Sequence, residues 1–195
     1  MNETIQNILR RRSIRKYRQE QISAEALDQV LLAGSYAPNA GSRQSPVMVV
    51  LQNRELIARL GRINRNLFYR NKRTAKMGNV STQQPSIADD ATIESAFYGA
   101  PTVVVVFVPK GHGYGVEDGS LVIGTMLIAA QSLGIGSCFI GRAGATFENE
   151  EARAVLGDWN IPEDYVAMGF CLLGYADGAP PVAKPRKEYV VKKIQ

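Results

Sequence analysis

The stretch from Leu121 to Leu133 has the length of an α-helix but almost no polar face. Asp118 can cap its amino end, and Gly134 can end it. A helix that is apolar all round must be covered on every side. In a chain of 195 residues, a second copy of the chain supplies that cover most easily, so we expect a homodimer. Polar residues inside the stretch leave it short of the ~20 apolar residues that cross a bilayer, so no membrane span is expected.

A basic cluster from Arg11 to Tyr17 lies near the amino end, with the sequence Arg-Arg-Ser-Ile-Arg-Lys-Tyr. It follows a stretch in which Ile5, Ile8 and Leu9 share one helical face. Cations this close repel one another unless an anion lies among them, and the planar fork of arginine matches a phosphate in bidentate fashion. Ser13 can add a hydroxyl donor. The cluster therefore predicts a phosphorylated ligand, with a solvated basic helix end as the alternative.

The composition describes one ordinary globular domain, residues 1–195, with 45% hydrophobic and 21% charged residues. The net charge of +5 suits an anionic ligand as well as it suits nucleic acid. Cys138 and Cys171 lie in apolar runs, and His112 is the only histidine. We therefore expect neither a metal site nor a disulfide framework, and a reducing, cytoplasmic location is the default.

Helical and extended patterns alternate along the chain without a fixed repeat, which favours an α+β layer structure over a doubly wound sheet. Besides the apolar stretch, we expect helices that begin after Ser23 and near Arg54, and one over Glu148 to Leu156. Apolar or β-branched runs predict four strands: Val47 to Leu51, Thr102 to Val108, Ser137 to Ile140 and Val166 to Leu173.

Two segments differ in character from this core. Residues 64–90 are rich in Asn, Gln, Lys, Arg and Ser, which predicts a mobile lid. Residues 180–195 carry proline and lysine but keep Tyr189, Val190 and Val191. This tail is too apolar to remain free, so we expect a C-terminal arm that lies against another surface.

The catalytic motifs that are easiest to recognise are absent from the sequence. Gly111 to Gly115 follows a strand and precedes a helix, but it lacks the third glycine of a dinucleotide-binding loop and a complete βαβ unit. No Walker loop, G-x-S-x-G elbow or H-E-x-x-H motif is present. A second basic site, Lys184-Pro185-Arg186, accompanies the basic cluster. Many cationic side chains with few acid–base residues are typical of an enzyme in which a bound cofactor performs the chemistry.

Five separated motifs, in this order, resemble those of the FMN-dependent nitroreductase family. They span nearly the whole chain: Arg11 to Tyr17, Ala37 to Gln44, Gly99-Ala100-Pro101, Leu127 to Gly141, and Lys184-Pro185-Arg186. The resemblance implies a nitroreductase-like α+β fold, in which helices flank a central mixed sheet. It also implies an intertwined homodimer with an FMN in each of two interface sites and C-terminal arms that embrace the partner.

The resemblance further implies which residues bind the cofactor. Arg11 and Arg186 would hold the FMN phosphate with the help of Lys184, while Arg12 and Ser13 line the ribityl and phosphate side. Arg15 would approach the N1/O2 edge of the ring, and Gln44 would also contact the cofactor. The other subunit would supply Pro38, Asn39, Ala40 and Ser42. The backbone of Phe139, Ile140, Gly141 and Arg142 would lie along the ring. A fixed cation at N1/O2 would stabilise the charge that reduction places there.

This chain departs from the family pattern in the second motif, where Ser42 replaces a common asparagine and Ser45-Pro46 replaces a common Pro-Trp. The family often places an asparagine near the ring edge, and Asn66 or Asn71 could fill that role. The cofactor is still expected to fit this loop.

The function that follows is hydride transfer from NADH or NADPH to FMN, then reduction of a nitroaromatic, a quinone or a similar acceptor in ping-pong order. Aromatic residues that could line the acceptor pocket, or else pack in the core, are Phe68, Tyr69, Phe97 and Tyr98. Dehalogenation or oxidation of a natural product on the same scaffold is the runner-up. A basic nucleic-acid-binding module built on residues 10–18 and 62–76 is the remaining alternative, but no recognised binding motif supports a nucleic-acid partner.

Overall fold

An antiparallel sheet lies at the centre of the computed structural model, which describes residues 1–70, 82–188 and 190–194. Its four strands among those residues are β1 (Val47–Leu51), β2 (Thr102–Pro109), β3 (Gly136–Ile140) and β4 (Tyr165–Gly174). They lie in the order β1-β2-β4-β3. Strand β2 is buried along nearly its whole length, which explains its unbroken run of valine and phenylalanine.

Helices cover both faces of this sheet. In chain order they are α1 (Glu3–Arg10), α2 (Ala24–Ser35), α3 (Arg54–Arg70), α4 (Gly115–Ser132), α5 (Ala143–Glu148) and α6 (Glu150–Arg153). Alternate residues of β2 serve two separate cores. Val103 and Val105 pack with α3 and α5, whereas Val104 and Val106 pack with α2 and α4.

The basic cluster lies along the outer edge of β3. Ser13 forms a parallel bridge with Ser137, and the Ile14 amide donates to the Ser137 carbonyl at 3.0 Å. Tyr17 then pairs in antiparallel fashion with Ala176. Helices flank the central sheet as expected, but the four strands pair only in antiparallel fashion, and parallel pairing is confined to the Ser13 bridge.

Helix α4 begins one turn earlier than the sequence predicts. Tyr114 precedes its first residue, so the prediction that Asp118 caps the helix is wrong. Asp118 lies inside the first turn, is only 2% exposed, and accepts a hydrogen bond from the Ala40 amide at 2.9 Å. The helix is also not covered all round within one chain, because Leu121 is 45% exposed.

Two other predicted elements differ from the structure. The helix expected over Glu148 to Leu156 is divided into the end of α5, the short α6 and a 3₁₀ turn, Ala154–Trp159. Asn149 causes the break, because its side chain caps α6 through the Glu151 and Ala152 amides. The C-terminal arm is open in the single chain, with Val190 and Ile194 at least 85% exposed, and Tyr189 lies outside the described residues.

The prediction of a mobile lid over residues 64–90 is wrong at both ends of that range. Residues 64–70 form the last two turns of α3, and Asn64 is completely buried there. Gln84 and Ile87 are also buried. Polar composition misled the prediction because these polar groups are satisfied inside the protein rather than by water. Residues 71–81, which include Asn71, lie outside the described residues.

In the part of the chain that the structure describes, no helix is long and apolar enough to cross a membrane.

Candidate functional site

A basic cleft of about 800 Å³ separates the basic cluster from the C-terminal tail. Its lining includes Arg11, Arg12, Ser13, Arg15, Lys184 and Arg186. The structure therefore brings together the five residues expected on the ribityl and phosphate side, and it places Arg15, expected at the N1/O2 edge, beside them. The other described lining residues are neutral, so the cleft has a positive potential with no carboxylate to offset it.

Arg11 provides the sharpest sign of an anion in this cleft. Its Nη1 atom is buried and has no hydrogen-bond partner among the described residues. A buried donor without a partner costs free energy, and a phosphate oxygen would remove that cost. Arg12 is used differently, because its Nη1 donates to the carbonyls of Leu9 and Arg11 at 2.7 Å and closes the end of α1.

Arg15 is held in place by a residue that the sequence analysis missed. Its amide donates to Oε1 of Gln84 at 2.7 Å, and Gln84 is only 1% exposed. The Ile14 amide is tied to β3, and the Lys16 carbonyl accepts from the Asp177 amide at 2.9 Å, so the backbone is fixed on both sides of Arg15. A single sequence offers no signal for Gln84, because it acts on a residue 69 positions away.

A second, less polar cleft of about 260 Å³ begins at Arg15. Phe68, Ile87, Tyr98 and Cys138 line it together with the segment from Phe139 to Arg142. The end of β3 thus faces the cleft at the four positions predicted to lie along a ring. Because Arg15 lines both clefts, the site can receive a ligand with a phosphate at one end and a flat apolar ring at the other.

Asn64 fixes the far wall of this ring cleft. Its amide Nδ2 donates to the Gly141 carbonyl and to Oγ1 of Thr146, both at 2.9 Å. Its Oδ1 accepts from Nη2 of Arg142 at 2.8 Å. The sequence does contain a signal for this role, because Asn64 continues the buried stripe of α3 formed by Ile57 and Leu60.

The asparagine and aromatic candidates differ in whether they line the ring cleft. Asn66 is exposed on α3 and does not line the ring cleft, and Asn71 is not described. Phe68 and Tyr98 do line the cleft. Phe97 is instead a core residue, with its ring 4.7 Å from that of Phe170. The Tyr69 hydroxyl donates to the Ile87 carbonyl, so that ring supports the cleft from behind.

Neither cysteine offers a nucleophile. Burial raises the pKa of the Cys138 thiol, and the nearby Arg15 only partly opposes that effect. Burial raises the pKa of Cys171 even further. Both thiols therefore stay protonated near neutral pH, where only a thiolate would be reactive. The described residues also contain no group of three His, Cys, Asp or Glu side chains that could hold a metal ion.

The loop from Pro38 to Gln44 lies in a different place. Pro38, Asn39 and Ala40 line a separate cleft beside α4, and within one chain they do not meet the basic cleft. Ser42 and Gln44 have positive φ angles of 54° and 51°, which are unfavourable for residues other than glycine. Within one chain, the loop therefore does not make the ring contacts that the sequence analysis expects of it.

Two contacts clamp this loop. Oδ1 of Asn39 accepts from the Gln44 amide at 2.8 Å, and Asp118 accepts from the Ala40 amide. His112 adds a polar link, with Nε2 3.4 Å from Oδ2 of Asp118 and Nδ1 3.4 Å from Nη1 of Arg43.

Residues 8–175 match the model of the nitroreductase family. A candidate NADH dehydrogenase/NAD(P)H nitroreductase of Archaeoglobus fulgidus is 30% identical over 179 residues, which cover 90% of this chain and 86% of that protein. Two solved structures of nitroreductases with bound FMN are also similar. The one from Bacteroides fragilis is 29% identical over 100% of both chains with a TM-score of 0.81. The one from Desulfitobacterium hafniense is 28% identical over 97% of this chain and 99% of that chain, with a TM-score of 0.78. The chain therefore belongs to the nitroreductase family.

Proposed function

We propose that the protein is an FMN-dependent oxidoreductase that uses NAD(P)H to reduce nitroaromatics, quinones or related acceptors. The observation that carries the proposal is the junction at Arg15 of a cleft with an unpartnered arginine donor and a cleft that suits an aromatic ring. The names of the similar proteins support both FMN and NAD(P)H. Bound FMN supplies the electron-transfer chemistry, and the chain positions the reactants.

The residues of the two clefts would divide the work of binding. Arg11, Lys184 and Arg186 would hold the phosphate, and Ser13 would add a hydroxyl donor. The fixed Arg15 would lie at the N1/O2 edge of the ring and favour the reduced, more negative form. The backbone from Phe139 to Arg142 would lie along the ring. NAD(P)H and the acceptor would then occupy the open ring face in turn, in ping-pong order.

We also propose that the functional unit is a homodimer. Ile5, Ile8 and Leu9 of α1 are each at least 45% exposed, and so is Leu121 of α4. Apolar surface of this kind on a small protein is typical of an interface. A second subunit would cover it and bring its loop from Pro38 to Gln44 to the site. A cytoplasmic location is proposed as well, which the two free, buried cysteines support.

The first test of the proposal is the colour of the purified protein. Purified protein should be yellow and should release FMN when it is denatured, and Arg11→Ala combined with Arg186→Ala should yield colourless protein that still folds. Stopped-flow mixing with NADH or NADPH should bleach the flavin, and a nitroaromatic or quinone should restore its colour. Parallel lines in a double-reciprocal plot would support ping-pong order. Protein that binds no flavin at any FMN concentration would contradict the assignment.

A further inference from the structure

Arg142 occupies an unusual position at the end of the ring cleft. It is the second residue after β3 and follows Gly141. Its φ angle of 63° lies in the left-handed region that favours glycine. This backbone conformation costs free energy in an arginine, so it persists only because the surrounding contacts hold Arg142 in it. The surrounding structure explains how that direction is fixed.

The guanidinium of Arg142 is held from behind. Nη2 donates to Oδ1 of Asn64, whose own amide group is fixed by Gly141 and Thr146. The guanidinium carbon lies 5.2 Å from the centre of the Phe68 ring. Nε is enclosed without a hydrogen-bond partner. Nη1 makes no hydrogen bond within the described residues and is not enclosed, so it remains for a ligand in the cleft.

No carboxylate balances this cation. The ion pairs in the described part of the chain join Lys16 with Asp177, Arg59 with Glu151 and His112 with Asp118. The residues that line the ring cleft include no Asp or Glu. Residues 71–81 contain none in their sequence either. Burial lowers the pKa of Arg142, but a guanidinium still carries its charge at neutral pH.

We infer that Arg142 selects acceptors with an anionic group, such as a carboxylate on an aromatic ring. This inference rests on the proposed function, in which the basic cleft, Arg15 and the backbone from Phe139 to Arg142 serve the cofactor and leave the side chain of Arg142 to the second substrate. The Nη1 donor supplies a fixed point for the anion, and the side of Tyr98 supplies apolar contact for the ring. The selected substrate is therefore an aromatic acid with a reducible nitro or quinone group.

The test compares two acceptors that differ in charge but share the reducible group, 4-nitrobenzoate and 4-nitrobenzamide. We expect the unmodified holoenzyme to have a kcat/KM for nitrobenzoate that is about tenfold higher or more, the size of one hydrogen bond to a charged group. Arg142→Gln should bring the ratio of the two constants close to one, and Arg142→Lys should retain part of it. A ratio cancels any loss that affects both substrates equally.

Arg62→Gln is the matched control, because Arg62 is an exposed cation of α3, the helix that carries Asn64, and does not line the ring cleft. It removes the same charge and should keep the original ratio. A ratio near one in the unmodified enzyme would overturn the inference. So would an Arg142→Gln variant that binds FMN more weakly but keeps the original ratio, since Arg142 would then serve the cofactor.

A binding measurement separates this inference from the proposed function. Benzoate and benzamide are titrated calorimetrically into the purified protein, so no turnover is required. Benzoate should bind about tenfold more tightly or more, and Arg142→Gln should remove the difference. If neither nitro compound is reduced but benzoate binding still depends on Arg142, the proposed function fails and the anion site stands. If the nitro compounds are reduced and benzoate binds no better than benzamide, the anion site fails alone.

Discussion

Individual cations of the basic cluster differ in what the protein itself does with them. Lys16 points away from the cleft and pairs with Asp177 at 3.0 Å. Arg12 is engaged with carbonyls at the end of α1. Only Arg11 and Arg15 have their guanidinium groups largely available to a ligand. Four neighbouring basic residues thus have three roles, which a count of charges along the sequence does not distinguish.

The first prediction concerns Arg15. Arg15→Ala should weaken FMN binding and lower the reduction potential of the flavin, because a cation beside the reduced ring is lost. A hydrogen bond to a charged group contributes about 1.5–3 kcal/mol, which corresponds to about 30–60 mV for a two-electron couple. Potentiometry with a reference dye measures the shift. Lys16→Ala removes an adjacent charge outside both clefts and should leave the potential unchanged. An unchanged potential in a fully loaded Arg15→Ala protein would remove Arg15 from this role.

The second prediction concerns Asn64. Asn64→Leu keeps the branching at Cγ but leaves the Gly141 carbonyl and Nη2 of Arg142 without these partners. The free energy of unfolding should fall by about 2–4 kcal/mol, because buried polar groups lose their hydrogen bonds. Urea unfolding of the cofactor-free protein at one fixed concentration measures the change. Asn66→Leu on the exposed side of α3 should change stability by no more than about 0.5 kcal/mol. Equal effects of the two substitutions would show that the Asn64 network is energetically unimportant.

At the scale of elements, the loop from Pro38 to Gln44 depends on α4. Left-handed backbone at Ser42 and Gln44 makes the loop unfavourable in isolation. Asp118, one turn inside α4, compensates by accepting from the Ala40 amide. The position of Asp118 within the helix, rather than at its cap, is what allows this contact. The early start of α4 is therefore coupled to the conformation of the loop.

The third prediction tests that coupling. Asp118→Ala removes the acceptor for the Ala40 amide, so the loop should open at a free-energy cost lower by about 1–3 kcal/mol. Amide hydrogen exchange over residues 40–44 should accelerate about fivefold or more, while exchange in β2 stays the same. Glu117→Ala, an exposed neighbour in the same turn of α4, is the control. Exchange in the loop that is equally fast in both variants would show that Asp118 does not hold it.

At the scale of the whole molecule, apolar groups remain uncovered where α1, α4 and the C-terminal arm lie. Leu121 is 45% exposed, Leu9 is 56% exposed and Ile194 is 95% exposed. These residues lie on amphipathic or apolar stretches of the sequence, a pattern that predicts burial rather than exposure to water. The proposed second subunit would cover these apolar groups.

The fourth prediction is that a charge at Leu121 separates the subunits. A monomer would tolerate Leu121→Glu at a cost of about 1 kcal/mol or less, because the site is half open. In a dimer, the unpaired carboxylate would be buried and cost about 3–5 kcal/mol. Sedimentation equilibrium should therefore show a dimer for the unmodified protein and a weakened dimer for the variant. Val166→Glu, at a strand position 37% exposed, is the control and should stay dimeric. A stable, flavin-loaded monomer of the unmodified protein would contradict the interface.

The strands were the most predictable part of the molecule. Val47–Leu51 matches its prediction to the residue, because β-branched and apolar runs between loop signals allow few other structures. Contributions made across long sequence distances could not be predicted from residue patterns. Gln84 serves Arg15, and Asp118 serves Ala40, from 69 and 78 positions away. A polar residue that is buried for such a partner looks, in one sequence, like an ordinary surface residue.

The bridge between Ser13 and Ser137 also determines when the binding site can exist during synthesis. The ribosome releases Arg11 and Arg15 early, but the strand beside them is made much later, and the opposite wall of the basic cleft ends only at Arg186. Domains acquire their long-range contacts after the chain that supplies them has emerged. A truncated chain that stops before Arg186 therefore has an unfinished cleft. If Arg186 holds the cofactor phosphate as proposed, the cofactor cannot bind at full strength until that residue has emerged.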